Sequence, residues 1–157
     1  MPVFERNESM TQETVMKVVL DTNVVLDWLH FSDSACLTLA RAIQSGKIKP
    51  ITSELCLEEL RQVIKRPEFG LDLRGQEQFL EKYHEHAHIL ELEEAFVETL
   101  PYCSDPDDQK FIELAWRAGA RYLLSRDKAV LKLSKKLWTF GIEALTPAGF
   151  SAVFSLP

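Results

Sequence analysis

The sequence has little cysteine, and its thiols are poorly placed for cross-linking. Cys36, Cys56 and Cys103 are odd in number, far apart, and lack the C-x-x-C spacing that is typical of zinc knuckles. We therefore expect neither a disulfide framework nor a zinc-binding module. Unpaired thiols of this kind suit a reducing compartment, so we expect a cytoplasmic protein.

Long apolar runs and an excess of basic residues are also missing. No apolar stretch approaches the roughly 20 residues of a membrane-spanning helix, so we expect no membrane association. The net charge of −6 argues against a protein that coats nucleic acid non-specifically, because that binding depends on lysine and arginine. The net charge does not exclude an enzyme that has acidic residues in one pocket and basic residues beside it.

The chain length of 157 residues suits one domain with a real hydrophobic core. Residues 1–15 lack the basic start and apolar centre of a secretory signal. We expect them to form a flexible N-terminal extension, and residues 16–157 to form a single domain without an internal linker.

Strand-like and helix-like segments alternate along this domain. The predicted strands are 17–20, 48–51, 88–92, 122–124 and 142–145. A helix is predicted to begin near Val24, and the other predicted helices are 34–44, 53–65, 76–85, 106–118, 128–137 and 147–154. This alternation predicts an α/β fold whose parallel sheet is covered by helices on both faces.

Acidic residues follow two of the predicted strands. In parallel sheets the ligand crevice lies at the carboxyl ends of the strands, where Asp21 and Asp127 are expected. Each could equally be a simple helix cap. Neither residue indicates a site by itself.

Two further acids lie on the inner faces of predicted helices. Glu59 shares a helical stripe with Leu55, Cys56 and Val63, which predicts an inward side chain, although a buried glutamate paired with an arginine is the alternative. The other inward acid is Asp108, which shares a stripe with Ile112 and Ala115, whereas Asp105 suits an N-cap before Pro106 and Asp107 should be solvated.

Together these positions predict a metal site. Asp21, Glu59, Asp108 and Asp127 should converge at one edge of the sheet, where their charges repel unless pKa values rise or a cation binds. Oxygen ligands without histidine or cysteine favour hard ions, which predicts one or two Mg²⁺ or Mn²⁺ ions.

Four sequence blocks, in their order and spacing, resemble those of PIN-domain ribonucleases. The blocks are V-V-L-D-T-N-V, S-E-L-C-L-E-E-L-R-Q-V-I-K-R-P-E-F, D-P-D-D-Q-K-F-I-E-L-A and Y-L-L-S-R-D-K-A-V-L. The resemblance covers nearly all of residues 16–157. Its D-P-D-D and R-P-E-F elements are similar to those of the subgroup regarded as toxins of toxin–antitoxin systems.

The resemblance implies a three-layer α/β/α sandwich with a central, mostly parallel five-stranded sheet, which is PIN-like and Rossmann-like. It implies a metal-dependent endoribonuclease that cleaves single-stranded RNA, with a small antitoxin as partner. Assembly into a homodimer or a higher homo-oligomer is left open by the sequence. The four acids match the acidic residues of the family, Asn23 and Ser125 match its polar neighbours, and Asp105 would be an auxiliary ligand.

Roles for these acids follow from the resemblance. Asp21 would be the central bridging ligand, with Asp108 and Asp127 completing the coordination. Glu59 would orient or deprotonate the attacking water. A bound cation lowers the pKa of such a water and stabilises charge on the phosphoryl oxygens.

Substrate binding is expected beside the acids. Lysines share one face of predicted helix 128–137, opposite its apolar face, and are Lys128, Lys132, Lys135 and Lys136. Lys128 and Lys132 are the predicted RNA contacts. The alternative is a solvated face that serves solubility.

Two other functions stay open at this point. A haloacid-dehalogenase-like phosphatase also places an aspartate after its first strand, but it normally has a second aspartate two residues on, where this chain has Asn23. A PIN-like module that binds RNA or protein without cleavage would need no divalent ion.

Overall fold

A computed structural model describes residues 15–92 and 99–154, and these residues form five strands and eight α-helices. The strands are β1 (Met16–Leu20), β2 (Ile48–Thr52), β3 (His88–Ile89), β4 (Tyr122–Leu124) and β5 (Glu143–Leu145). The helices are α1 (Thr22–Leu29), α2 (Leu37–Gln44), α3 (Glu54–Ile64), α4 (Leu73–His86), α5 (Gln109–Ala118), α6 (Lys128–Leu131), α7 (Ser134–Trp138) and α8 (Pro147–Val153). Apart from Val15, the predicted N-terminal extension lies outside the described residues.

The five strands form one sheet in the order β3-β2-β1-β4-β5, and every neighbouring pair is parallel. The strand order therefore reverses direction between β1 and β4. Leu20 pairs with Leu124 at the carboxyl ends of these two central strands. An open parallel sheet offers its ligand crevice at such a point.

The sheet is the middle one of three layers, because alternate strand residues enter different cores. Val18 and Leu20 pack in one core with residues of α1–α4 and α8. Val19 and Leu123 pack in the other with residues of α5–α7. The predicted α/β/α sandwich with a central five-stranded sheet is confirmed.

Several predicted boundaries differ from the structure. The predicted helix 128–137 is divided into α6 and α7 by a tight turn, in which the N–H of Leu133 bonds to the carbonyl of Val130 rather than one residue further back. Helix α4 begins three residues earlier than predicted, because Asp72 accepts a hydrogen bond from the N–H of Gly75 and caps it. The predicted strand 88–92 is shorter in the structure, because β3 ends at Ile89 and residues 90–92 do not form strand.

One predicted side-chain orientation is wrong. Leu55, placed above on the inner stripe of its helix, is 67% exposed. It lies in the first turn of α3, where it lines an open groove with Leu90 and Leu92 instead of entering the core. Cys56 and Val63 are buried as predicted.

A separate observation concerns membranes. Within the described ranges, none of the helices combines the length and the apolar character that a bilayer crossing requires.

Candidate metal centre

The site lies at the carboxyl ends of β1 and β4, where the two chain segments are joined directly. The backbone N–H of Asp21 donates to the carbonyl of Leu124 at 3.0 Å. Asp21 and Ser125 are thus the first residues beyond two paired strands. The sheet register itself brings these distant parts of the sequence together.

Asp21 caps helix α1 and is also one of the four acids that the sequence predicts to converge. It is only 4% exposed, and Oδ1 accepts a 2.8 Å hydrogen bond from the N–H of Asn23, which caps α1. Burial raises the pKa of Asp21, hydrogen bonds from Ser125 and Asn23 oppose the rise, and the charges of Glu59 and Asp127 add to it. The cap interpretation is therefore correct but incomplete.

Ser125 connects two of the acids. Its Oγ donates to Oδ2 of Asp21 at 2.6 Å and accepts from the N–H of Asp127 at 3.0 Å. The residue is completely buried. Asn23, the other predicted polar neighbour, is exposed and contributes its backbone N–H to Asp21.

Three carboxylates form what we term the carboxylate cluster: Asp105, Asp108 and Asp127. One ligand oxygen from each lies within 4.8 Å of one from each of the others. Two members are held by backbone hydrogen bonds, because Oδ1 of Asp105 accepts from the N–H of Asp107 and Oδ1 of Asp127 accepts from that of Ala129. These caps orient the carboxylates before any ligand arrives.

Asp108 is the exceptional member of the cluster. It is 8% exposed, and its buried Oδ2 has no hydrogen-bond partner in the part of the chain that the structure describes. A buried carboxylate oxygen without a partner is costly, and native structures usually satisfy such atoms. Asp107, by contrast, is exposed as predicted.

The environment of Asp108 favours its protonated form. Burial raises its pKa to about 8, and the neighbouring Asp127 carboxylate, together with the charges of Asp21 and Asp105, contributes to the rise. The pKa of Asp127 is lowered, first by its interaction with protonated Asp108 and then by the N–H of Ala129. Proton binding is therefore favoured at Asp108 over Asp127.

A hard divalent cation fits these residues. The donor atoms are carboxylate oxygens, which Mg²⁺ and Mn²⁺ prefer, and Asp108 also carries a buried oxygen for which the described residues offer no hydrogen-bond partner. Asp105, predicted only as an auxiliary ligand, belongs to this cluster.

Glu59 lies apart from the cluster, although its charge acts on Asp21. Its Oε1 accepts a 2.5 Å hydrogen bond from Nζ of Lys110, and its Oε2 accepts one from Oγ1 of Thr22. The alternative of a glutamate with a basic partner is thus realised with lysine rather than arginine. The roles predicted for Asp21 and Glu59 in catalysis stay predictions.

Sequence reasoning missed both partners of Glu59. Lys110 follows Asp108 by two residues in D-D-Q-K, and Thr22 directly follows Asp21. Their positions beside predicted acids were the available signal. Their common target was not visible, because it depends on how α3 and α5 pack.

Basic residues follow the cluster along the chain. The guanidinium of Arg126 pairs with Asp27 at 2.6 Å and with Asp33 at 3.3 Å. Lys128, Lys132, Lys135 and Lys136 are all exposed. The predicted contact of Lys128 and Lys132 with RNA stays a prediction.

Comparison with known proteins bears on the family of this chain. A family model described as PIN domain matches residues 17–129, which include every acid discussed above. A comparison with curated proteins finds no significant match. PIN domains are in general metal-dependent nucleases. The matched region spans well over half of the sequence, and the chain belongs to the PIN-domain family.

Proposed function

We propose that this chain is an endoribonuclease that needs a divalent cation and cleaves phosphodiester bonds in single-stranded RNA. The observation that carries the proposal is Asp108, which belongs to a group of three carboxylates and whose buried Oδ2 has no hydrogen-bond partner among residues 15–92 and 99–154. A cation is the ligand that satisfies this oxygen and offsets the repulsion within the group. Family membership favours hydrolysis of a nucleic acid over other metal chemistry.

Asp105, Asp108 and Asp127 would hold the ion, Mg²⁺ or Mn²⁺. When bound, the ion would supply an acidified water and stabilise negative charge on the phosphoryl oxygens. The protein's part is to fix the carboxylates in place: Ser125 orients Asp21, and the N–H groups of Asp107 and Ala129 orient two cluster members. Asp108 would release its proton when the ion binds.

The substrate would approach from the side of α6. Asp127 caps this helix, and Lys128 and Lys132 are exposed at its two ends. Their ammonium groups would hold the RNA backbone beside carboxylates that repel it. This arrangement reconciles an acidic protein with an anionic substrate.

The experiment is a cleavage assay on a fluorescently labelled single-stranded RNA. Wild-type protein is incubated with Mn²⁺, with Mg²⁺ or with a chelator, beside the Asp108→Asn variant and the matched Asp107→Asn control. We expect metal-dependent products from wild type and the control, and a loss of at least about 100-fold in rate for Asp108→Asn. Binding of RNA without cleavage under any of these ions would favour the non-cleaving module instead.

The same reaction set separates the phosphatase alternative. A small-molecule phosphate ester replaces the RNA, and release of inorganic phosphate is measured. Phosphatase activity that survives Asp108→Asn would contradict the nuclease proposal.

We also propose that the nuclease acts as the toxin of a toxin–antitoxin pair in the cytoplasm, on the basis of the D-P-D-D and R-P-E-F resemblance. Induced expression in a bacterial host should then arrest growth with wild type and with Asp107→Asn, but not with Asp108→Asn. A small antitoxin and a homo-oligomeric assembly belong to this proposal. Growth unaffected by soluble, cleavage-competent wild type would contradict the toxin role while leaving the nuclease intact.

A further inference from the structure

Lys110 and Glu59 form an ion pair at the start of α5, and Lys110 lies two residues after the cluster member Asp108 in the chain. Their side chains are 20% and 28% exposed, and 51 residues separate them in the chain. Lys110 lies in the first turn of α5, two residues after Asp108, and Glu59 lies in the middle of α3. The pair therefore joins two helices that both contribute to the site.

The ammonium group is held from more than one side. Besides Glu59, Nζ of Lys110 donates to the carbonyl oxygen of Asp107, and it lies 5.0 Å from the centroid of the Phe111 ring. A lysine restrained in this way acts as a fixed point charge rather than as a mobile surface group. Its position is thus part of the site.

Glu59 has its acceptor atoms occupied within the protein. Its Oε2 accepts a hydrogen bond from Oγ1 of Thr22, and its Oε1 accepts one from Nζ of Lys110. Asp108 shows the opposite state, because none of the described residues gives its buried Oδ2 a hydrogen bond. Glu59 is therefore already paired with a cation, the Lys110 ammonium, whereas the carboxylate cluster needs one.

We propose that Lys110 is a positioning residue whose ammonium occupies the place of a second cation, so that the site binds one divalent ion at the carboxylate cluster and none at Glu59. This inference rests on the proposed function, and it determines how many ions that site uses. A two-ion site places the ions about 3.5 to 4 Å apart and needs free carboxylates for both. Here the ammonium satisfies Glu59 instead.

The test counts Mn²⁺ ions bound per chain by electron paramagnetic resonance titration. We expect one ion for wild type and one for the matched control Lys65→Met, which replaces an exposed lysine just beyond the end of α3. Lys110→Met should bind two ions, because Glu59 is released as a ligand. The double variant Lys110→Met/Glu59→Gln should return to one ion, which a merely structural role of Lys110 does not predict.

The outcomes separate this inference from the function on which it rests. Two ions bound to wild type, or one ion bound to folded Lys110→Met, would overturn the role of Lys110 and leave a metal-dependent nuclease intact. No ion bound to wild type would overturn the nuclease proposal and this inference with it. If Lys110→Met does not fold, Lys110→Gln takes its place in both the single and the double variant, with the same expected counts.

Discussion

Oγ of Ser125 donates a 2.6 Å hydrogen bond to Oδ2 of Asp21, although 104 residues separate the two in the chain. The bond exists because β1 and β4 are neighbours in register and both strands end one residue earlier. This hydrogen bond lowers the pKa of the Asp21 carboxyl, whereas burial raises that pKa. The serine thus keeps Asp21 closer to its charged form than burial alone would allow.

Removing this hydroxyl should destabilise the protein. Ser125→Ala leaves Oδ2 of Asp21 and the N–H of Asp127 without their partner in a buried environment, which costs about 1–3 kcal/mol in free energy of unfolding. Urea denaturation at pH 7 measures the loss. Ser151→Ala, which removes an exposed serine hydroxyl bonded to Thr38, should change stability by less than about 0.5 kcal/mol. Equal effects of the two substitutions would contradict the role given to Ser125.

Neutralising Asp108 should change how stability depends on pH in metal-free protein. Because the folded state raises the pKa of Asp108 from 3.8 to about 8, its protonated form contributes stability that is complete below pH 3.8 and is lost as pH rises through 8. The lowered pKa of Asp127 acts in the opposite sense, but only in acid.

The measurement is thermal unfolding of wild type and Asp108→Asn in chelator from pH 5 to 9. Between pH 5 and pH 9 the free energy of unfolding of wild type should fall relative to that of the variant by at least about 1 kcal/mol, because one unit of pKa difference corresponds to about 1.4 kcal/mol. Asp107→Asn should follow wild type throughout. A wild-type curve that stays parallel to that of Asp108→Asn would mean that Asp108 is not held among like charges.

Much of the fold could be predicted, because strand alternation and helical stripes are local properties. Tyr122–Leu124 has its predicted bounds, and Asp108 is buried on its predicted stripe. Errors arose where non-local packing decides, as for Leu55, which has a helical stripe position but no neighbouring layer to cover it.

The site could be predicted in its location but not in its internal pairing. The alternation of strands and helices predicts a parallel sheet, and Asp21 and Asp127 follow strands of that sheet at the edge where the carboxyl ends lie. Whether Glu59 binds a metal or Lys110 depends on how α3 packs against α5, and the two residues are 51 positions apart in the sequence. No local sequence pattern predicts such a contact.

Divalent cations should stabilise the protein, and more strongly at higher pH. An ion that binds only the folded state contributes about 2.7 kcal/mol at a concentration of 100 Kd. The proton on Asp108 must leave for the ion to bind, so affinity should rise as pH approaches the pKa of about 8. Thermal unfolding with and without Mn²⁺ at pH 6 and pH 8 measures this difference.

The variants make this stabilisation specific to the cluster. Asp107→Asn should retain the increase in melting temperature, and Asp108→Asn should lose most of it. An increase that is equal at both pH values, or equal in both variants, would place the ion elsewhere.

RNA binding should depend on the lysines of α6 through counterion release. For single-stranded nucleic acid, each phosphate neutralised contributes about 0.7 to the slope of log affinity against log salt concentration. Replacing Lys128 and Lys132 by methionine in the Asp108→Asn background should therefore reduce the slope by about 1.4, with the RNA kept intact by the cleavage defect and a chelator. Fluorescence anisotropy across a range of salt concentrations gives the slope.

The matched control replaces Lys49 and Lys65. These lysines are also exposed but lie on β2 and beyond α3, and the slope of this variant should equal that of the background. If both double variants reduce the slope alike, RNA follows no path along α6 and the four lysines only solvate the surface.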